Sequence, residues 1–203
     1  MKLLSGLHKW WTKLSRPGKY VNMADVISAQ ETGPEPRRQP EGETLSEQET
    51  VALIELMFFA YRDFVSDPDE ILGQFGFGRA HHRVLHFVGR DPGMTVQQLL
   101  DILQITKQSL GRVLKELIDK GYVFQKEGES DRRQRLLYLT DAGEELRQRL
   151  LGPQMNRIRR AVSQSEGDAA ELYRKVLYHM VSPANREAVS AWIGRAGSIG
   201  GEG

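Results

Sequence analysis

The stretch VQQLLDILQITKQSLGRVLKELIDKGYVFQKEGESDRRQRLLYLTDAG, residues 96–143, decides the fold. Val96, Leu99, Leu100 and Leu103 recur at i, i+3, i+4 and i+7, one apolar stripe on a short helix. Thr95 and Gln98 form a capping box at its start, each side chain satisfying an orphan backbone N–H of the other. Gln104-Ile105 makes a sharp turn, and Thr106 caps a second helix with the stripe Leu110, Val113, Leu114, Leu117 and Ile118. Gly121 stops that helix, at a position where a left-handed backbone costs any other residue energy. The apolar period then drops from 3.6 to about 2, so Tyr122-Val123-Phe124 and Leu136-Leu137-Tyr138-Leu139 read as strands. Lys126 to Arg135 between them is a polar loop too long for a tight turn. The order predicts a helix-turn-helix followed by a two-stranded wing.

Such a unit buries one stripe of its second helix and offers the opposite one to a DNA major groove. The opposite stripe is Gln108, Gly111, Arg112 and Lys115. Arginine forks onto guanine and glutamine onto adenine, while Gly111 leaves room for close approach. Thr106, Lys107 and Ser109 sit at the start of the helix, where unpaired N–H groups favour a phosphate. Arg132, Arg133 and Arg135 crowd the wing loop, and arginine suits a narrow minor groove. A charged helix face is often no more than a solvated surface; here turn spacing, glycine stop, strands and arginine cluster occur together and favour DNA binding. The competing reading is a winged-helix protein–protein module, with the arginine face turned to an acidic partner.

The endings "LIDKGYV", "SDRRQRLLYLT" and "LTDAG" within this stretch resemble the MarR family of winged helix-turn-helix transcription regulators, and "RAHHRVLHFVGRDPG" resembles its PetP-type branch. The resemblance spans residues 45–181. It implies an obligate homodimer with interlocked first and last helices, a pseudo-palindromic operator, and repression relieved by a ligand. In that family an aspartate beside the wing arginines pairs with arginine and fixes the wing; Asp131 is the matching position. The family's usual ligand is a small aromatic acid held between dimer helices and winged domain. Phe59, Tyr61, Phe64, Phe75, Phe77 and His81 are candidates to line such a pocket, or simply to fill core.

The flanking segments fit this architecture. Ser46 to Glu49 is a second capping box, opening a helix over 46–65 that carries Leu53, Ile54, Leu56, Met57, Phe58, Phe59, Tyr61 and Phe64. It is apolar on more than one face, as at a dimer interface, and Asp67-Pro68 is expected to end it. Residues 73–78 read as a loop, and 79–90 as a helix closed by Asp91-Pro92-Gly93. Thr140-Asp141 begins a helix that Gly152-Pro153 interrupts or kinks. Helices follow over 166–181, with Leu172, Tyr173, Val176, Leu177 and Met180, and from Ser182 and Pro183 to Trp192 and Ile193. The expected fold is mainly α with a small two-stranded β wing and dimerisation helices at both ends: a winged core over 79–140, dimerisation helices over 46–65 and 141–193, and a MarR-type domain over 45–193.

Composition narrows the function. Lys and Arg number 28 against 27 Asp and Glu, a net charge of +1 that looks unlike a nucleic-acid binder. The charge is uneven: residues 79–135 hold 11 Lys/Arg against 7 Asp/Glu. There is no cysteine, which removes disulfides, thiolate metal sites, thiol catalysis and cysteine redox sensing. No nucleophile–base pair, phosphate loop or HExxH motif occurs, so neither an enzyme nor a cofactor is expected. His82 and His86 stand at i, i+4 beside His81, a spacing two imidazoles need to share a metal, but no further ligand is placed.

Residues 1–44 begin with an apolar stripe of Leu3, Leu4, Leu7, Trp10, Trp11 and Leu14 among lysines. That is either an amphipathic helix for an anionic membrane surface or the product of a reading frame whose true start is Met23. Pro34, Pro36 and Pro40 then mark a flexible linker. Residues 194–203, with five glycines, are expected to be a disordered tail. No apolar run is long enough to span a bilayer, so stable membrane insertion is not expected, and the chain reads as cytoplasmic.

Overall fold

The computed structural model describes residues 45–128, 131 and 133–195. The basic segment and linker expected over 1–44, most of the glycine-rich tail, and Arg132 lie outside the described residues.

Helix α1 is Glu47–Gln74 and α2 is Arg79–Arg90. A short strand β1, Met94–Thr95, leads directly into α3, Val96–Leu103, and α4 is Lys107–Asp119. Strands β2, Val123–Glu127, and β3, Arg135–Leu139, form the wing. Helices α5, Asp141–Ser163, and α6, Ala169–Met180, follow, then a 3-10 turn, Pro183–Asn185, and α7, Arg186–Arg195.

The wing rests on a sheet of three strands rather than two. β1 pairs antiparallel with β3, Met94 opposite Leu137, and β3 pairs with β2, Val123 opposite Leu139 and Glu127 opposite Arg135. Two residues are too few to show a period-2 pattern, so β1 is silent in the sequence.

The core lies where the winged unit meets α2 and α5. Val84, Leu85 and Val88 of α2, Leu99 of α3, Leu110 and Leu117 of α4, Leu137 of β3 and Leu146 and Leu150 of α5 are essentially inaccessible. Both predicted stripes of the helix-turn-helix thus point inward. The cap predictions also hold: Ser46, Thr95 and Thr106 accept from Glu49, Gln98 and Ser109 backbone N–H groups.

Pro68 does not end α1. A proline inside a helix deprives the carbonyl four residues back of its donor. Here that carbonyl belongs to Phe64, and the Gln154 side-chain amide of α5 reaches it at 3.5 Å. Pro68 itself is buried, and Arg157 pairs with Asp67 at 3.0 Å beside it. Packing against α5 thus compensates the defect, and the helix runs on to Gln74. Likewise α5 continues through Gly152-Pro153. The helix expected over 166–181 starts only after Gly167, whose φ is +65°, and the expected tail is shortened because α7 extends to Arg195.

Many apolar residues of the N-terminal half of α1 and of α6 are left exposed among the described residues. Leu56 is 62% and Phe58 61% exposed, and Leu172 is 60% and Val176 57% exposed. Among the described residues, no helix is long and apolar enough to cross a membrane.

Candidate nucleic-acid interface

The turn between α3 and α4 is made by Gln104 in a left-handed conformation, φ 51°, with its side-chain amide donating to the Asp101 carbonyl. Thr106 then caps α4 by accepting from the Ser109 N–H, and its hydroxyl meets the Ser109 hydroxyl at 2.9 Å. This seats Leu110, Val113, Leu114 and Leu117 in the core and leaves Thr106, Lys107, Gln108, Ser109, Gly111, Arg112 and Lys115 exposed on one continuous face. A Cβ built on Gly111 would meet nothing within 4 Å. Beside it runs a shallow depression of about 380 Å³ between Lys107, Lys115 and Gln125 of β2, floored by Leu114 and Ile118.

Charges on this face are partly engaged. Lys115 Nζ donates to Asp119 at 2.5 Å, one helical turn on, with both side chains exposed. Arg112 makes no hydrogen bond or ion pair with any described residue.

In the wing, the Asp131 carboxylate accepts the backbone N–H of Arg133 at 2.9 Å, and its carbonyl accepts the Gln134 N–H at 3.0 Å. Asp131 therefore shapes the turn through the main chain. Arg133 is exposed there, whereas Arg135 already lies in β3 and pairs with Glu127, its cross-strand partner, at 2.8 Å. Charge pairing ties it to the strands, not to the loop tip. On the outer face of the sheet Phe124 and Tyr138 stack at 5.4 Å, and Lys126 Nζ lies 5.0 Å from the Tyr138 ring centroid. Cross-strand pairing of two residues far apart in sequence gave no earlier signal of this cluster.

The six aromatic candidates separate. Phe75, Phe77 and His81 pack together with Tyr122: Phe77 lies 4.6 Å from His81 and 5.3 Å from Tyr122. The four rings form one packed cluster. Phe59 and Tyr61 are exposed on α1, and Phe64 is half-buried nearer the Pro68 site.

His81 is buried. Its Nδ1 accepts the Gly78 N–H at 3.1 Å and its Nε2 lies 3.0 Å from Glu116 of α4. Lys120 Nζ donates to the Phe75 carbonyl at 2.7 Å and lies 4.4 Å from the Phe77 ring centroid. These links, from α2 and from the end of α1 to the end of α4, are invisible to helical spacing, because they join residues 35 and 45 positions apart. His82 and His86 lie on another face of α2. Burial is the main cause lowering both, and His86, next to His82, Arg147 and Arg90, is held at about 4. Neutral imidazoles ligate metals, but among the described residues no three His, Cys, Asp or Glu side chains converge on a metal site.

With this geometry in hand, comparison with known proteins gives a consistent result. The family model described as MarR family matches residues 75–134, the span from the Phe75 cluster to the wing loop just ahead of β3. Over 150 residues the chain is 47% identical to the HTH-type transcriptional regulator PetP of Rhodobacter capsulatus, covering 72% of this chain and 90% of that protein.

The chain belongs to the MarR family.

Solved MarR-family structures share its fold. A crystal structure of MarR superposes with a TM-score of 0.53 at 20% identity, covering 73% of this chain and 97% of that one. Streptococcus pneumoniae FabT in complex with DNA gives 0.55 at 16% identity, covering 66% and 94%. At such identities the likeness is one of fold: a winged helix-turn-helix carrying additional helices before and after it. The likeness to PetP matches the branch to which residues 79–93 point.

Proposed function

We propose that this MarR-family transcription regulator binds DNA sequence-specifically as a homodimer on a pseudo-palindromic operator. The observation that carries the reading is the outer face of α4: Gln108, Gly111 and Arg112 are exposed together, and the Arg112 guanidinium has no partner among the described residues. A fork of donors left unpaired on a helix that projects from a winged unit suits a guanine edge. Lys107, Lys115 and the capped first turn of Thr106 to Ser109 suit phosphates, and Arg132 and Arg133 a flanking minor groove. Arg135 is assigned to bracing the wing through Glu127. The FabT structure is a complex with DNA, which supports the same use of the shared fold.

The homodimer reading is supported by the apolar faces of α1 and α6, exposed among the described residues and extensive for the surface of a monomer. With Phe75, Phe77 and His81 packed, a small aromatic ligand would have to meet Phe59, Tyr61 and Phe64 between two copies. Relief of repression by such a ligand, in the cytoplasm, completes the proposal.

The test is retention on heparin and a titration of duplex DNA against salt. DNA binding through phosphates gives a steep linear fall of log affinity with log salt. On a selected operator, Arg112→Ala should lose about 1–3 kcal/mol of discrimination against random DNA. Binding to an acidic protein with none to duplex DNA at any salt would instead establish the protein-module reading.

A further inference from the structure

The recognition helix α4 carries two acids, and both are turned away from Arg112. Asp119 is held by Lys115. Glu116 is the more consequential, because it stands one turn after Arg112, and side chains at i and i+4 on a helix come within ion-pair reach. Left to itself, the Glu116 carboxylate would have the Arg112 guanidinium as a natural partner, and would add a negative charge beside the DNA-facing surface.

His81 takes it instead. The Gly78 backbone N–H can only donate, so the His81 Nδ1 that accepts it carries no proton, and the ring's proton is on Nε2. Nε2 therefore donates to Glu116 at 3.0 Å. The ring has little freedom to swing away: it stacks on Phe77 with 19° between planes, and Phe77 is in turn packed on Tyr122 and approached by Lys120. His81 sits at the first turn of α2, closed off from solvent, while the Glu116 side chain is 44% exposed and would otherwise be mobile.

We propose that His81 is a positioning residue for DNA reading: it withdraws the Glu116 carboxylate from the outer face of α4, leaving Arg112 unpaired for a base edge, and ties α4 to the start of α2. This rests on the DNA-binding reading above and identifies what keeps its central arginine available.

The experiment uses the full chain and an operator obtained by in vitro selection, read by fluorescence anisotropy. His81→Phe keeps a flat ring on Phe77 but deletes both hydrogen bonds. It should weaken operator binding roughly three- to tenfold, since a helix ion pair and an added negative charge are each modest effects. Adding Glu116→Ala should restore most of the loss, because the competing carboxylate is gone. His81→Gln, whose amide can accept from Gly78 and donate to Glu116, should stay near wild type. In an Arg112→Ala background, His81→Phe should cost little more, a coupling between residues that do not touch. A merely structural role would lower the melting temperature without rescue by Glu116→Ala. Should His81→Phe not fold, His81→Asn, too short to reach Glu116, serves in the same comparison. Unchanged operator binding by the variant, or failure of Glu116→Ala to rescue it, overturns the proposal. A wild-type chain that binds no DNA at any salt overturns the DNA-binding reading itself, and this inference with it.

Discussion

Gly143, in the first turn of α5, lies against the carbonyl of Tyr122 so closely that a methyl group on its Cα would overlap the oxygen. The neighbouring bonds make the same joint: Thr140 N–H donates to the Tyr122 carbonyl at 3.1 Å and its hydroxyl to the Gly121 carbonyl at 2.7 Å. The exit of the recognition helix is thereby fastened to the start of α5. Gly143→Ala should destabilise the fold by about 1–3 kcal/mol through overpacking against main chain that cannot retreat. A thermal melt equal to wild type would show that the joint yields.

Gly111 makes the opposite case. It is helical, and a Cβ there would meet nothing in the chain, so its packing does not require glycine. Gly111→Ala should therefore stabilise the helix by about 1 kcal/mol. If the missing side chain serves close approach to a duplex, the same variant should bind its operator more weakly. A higher melting temperature with undiminished affinity would remove that role.

For the wing, electrostatics and structure predict opposite signs. Deleting an acid near DNA should tighten binding if charge alone counts. Asp131 instead holds the turn by accepting the Arg133 N–H. Asp131→Ala should loosen the loop that carries the arginines and weaken binding to a duplex with A·T-rich flanks. Anisotropy showing tighter binding would reject this role.

Acid should act on stability through α2. His86 is held at about 4, against an ordinary value of 6.5, mainly by burial. The unfolded chain therefore binds more protons between those values. The stability that the neutral ring contributes is complete above about 6.5 and is lost as pH falls toward 4, with His82 adding to it in the same direction. Denaturant titrations across this window should show a flatter pH dependence for His86→Gln than for wild type. Equal slopes would assign the acid sensitivity elsewhere.

Leu177 is 42% exposed in the single chain. On a monomer, Leu177→Asp would change little, since exposed substitutions usually stay within about 0.5 kcal/mol. On a dimer face it buries an unpaired charge. Light scattering should find the wild type dimeric at micromolar concentration and Leu177→Asp unable to assemble. A dimeric variant would place the interface elsewhere.

What could be read in the sequence was what is local. The Thr95–Gln98 box, the Thr106 cap and the Gly121 stop act over three or four residues, and each is where spacing put it. What could not be read depends on contacts across the fold. Pro68 looks like an end until Gln154, 86 positions on, serves the Phe64 carbonyl. Arg135 looks like a wing-tip charge until register sets it opposite Glu127. Phe75, Phe77 and His81 read from sequence as either pocket or core, and only the fold shows that they stack together beside Tyr122. Glu116, the partner that gives His81 its place on α4, carried no signal, because nothing near it in sequence needs a carboxylate.

The short pairing of Met94 and Thr95 with Leu137 and Leu136 has a mechanical consequence. It splices the wing into the chain immediately ahead of α3, whose Leu99 and Leu103 lie in the common core. A tilt of the hairpin would therefore carry β1 and the start of α3 with it. In the proposed dimer, a ligand seated between two copies would meet this joint as a unit. It would then change how far apart the two units stand, so control would act on the spacing of half-sites and not on the letters within each.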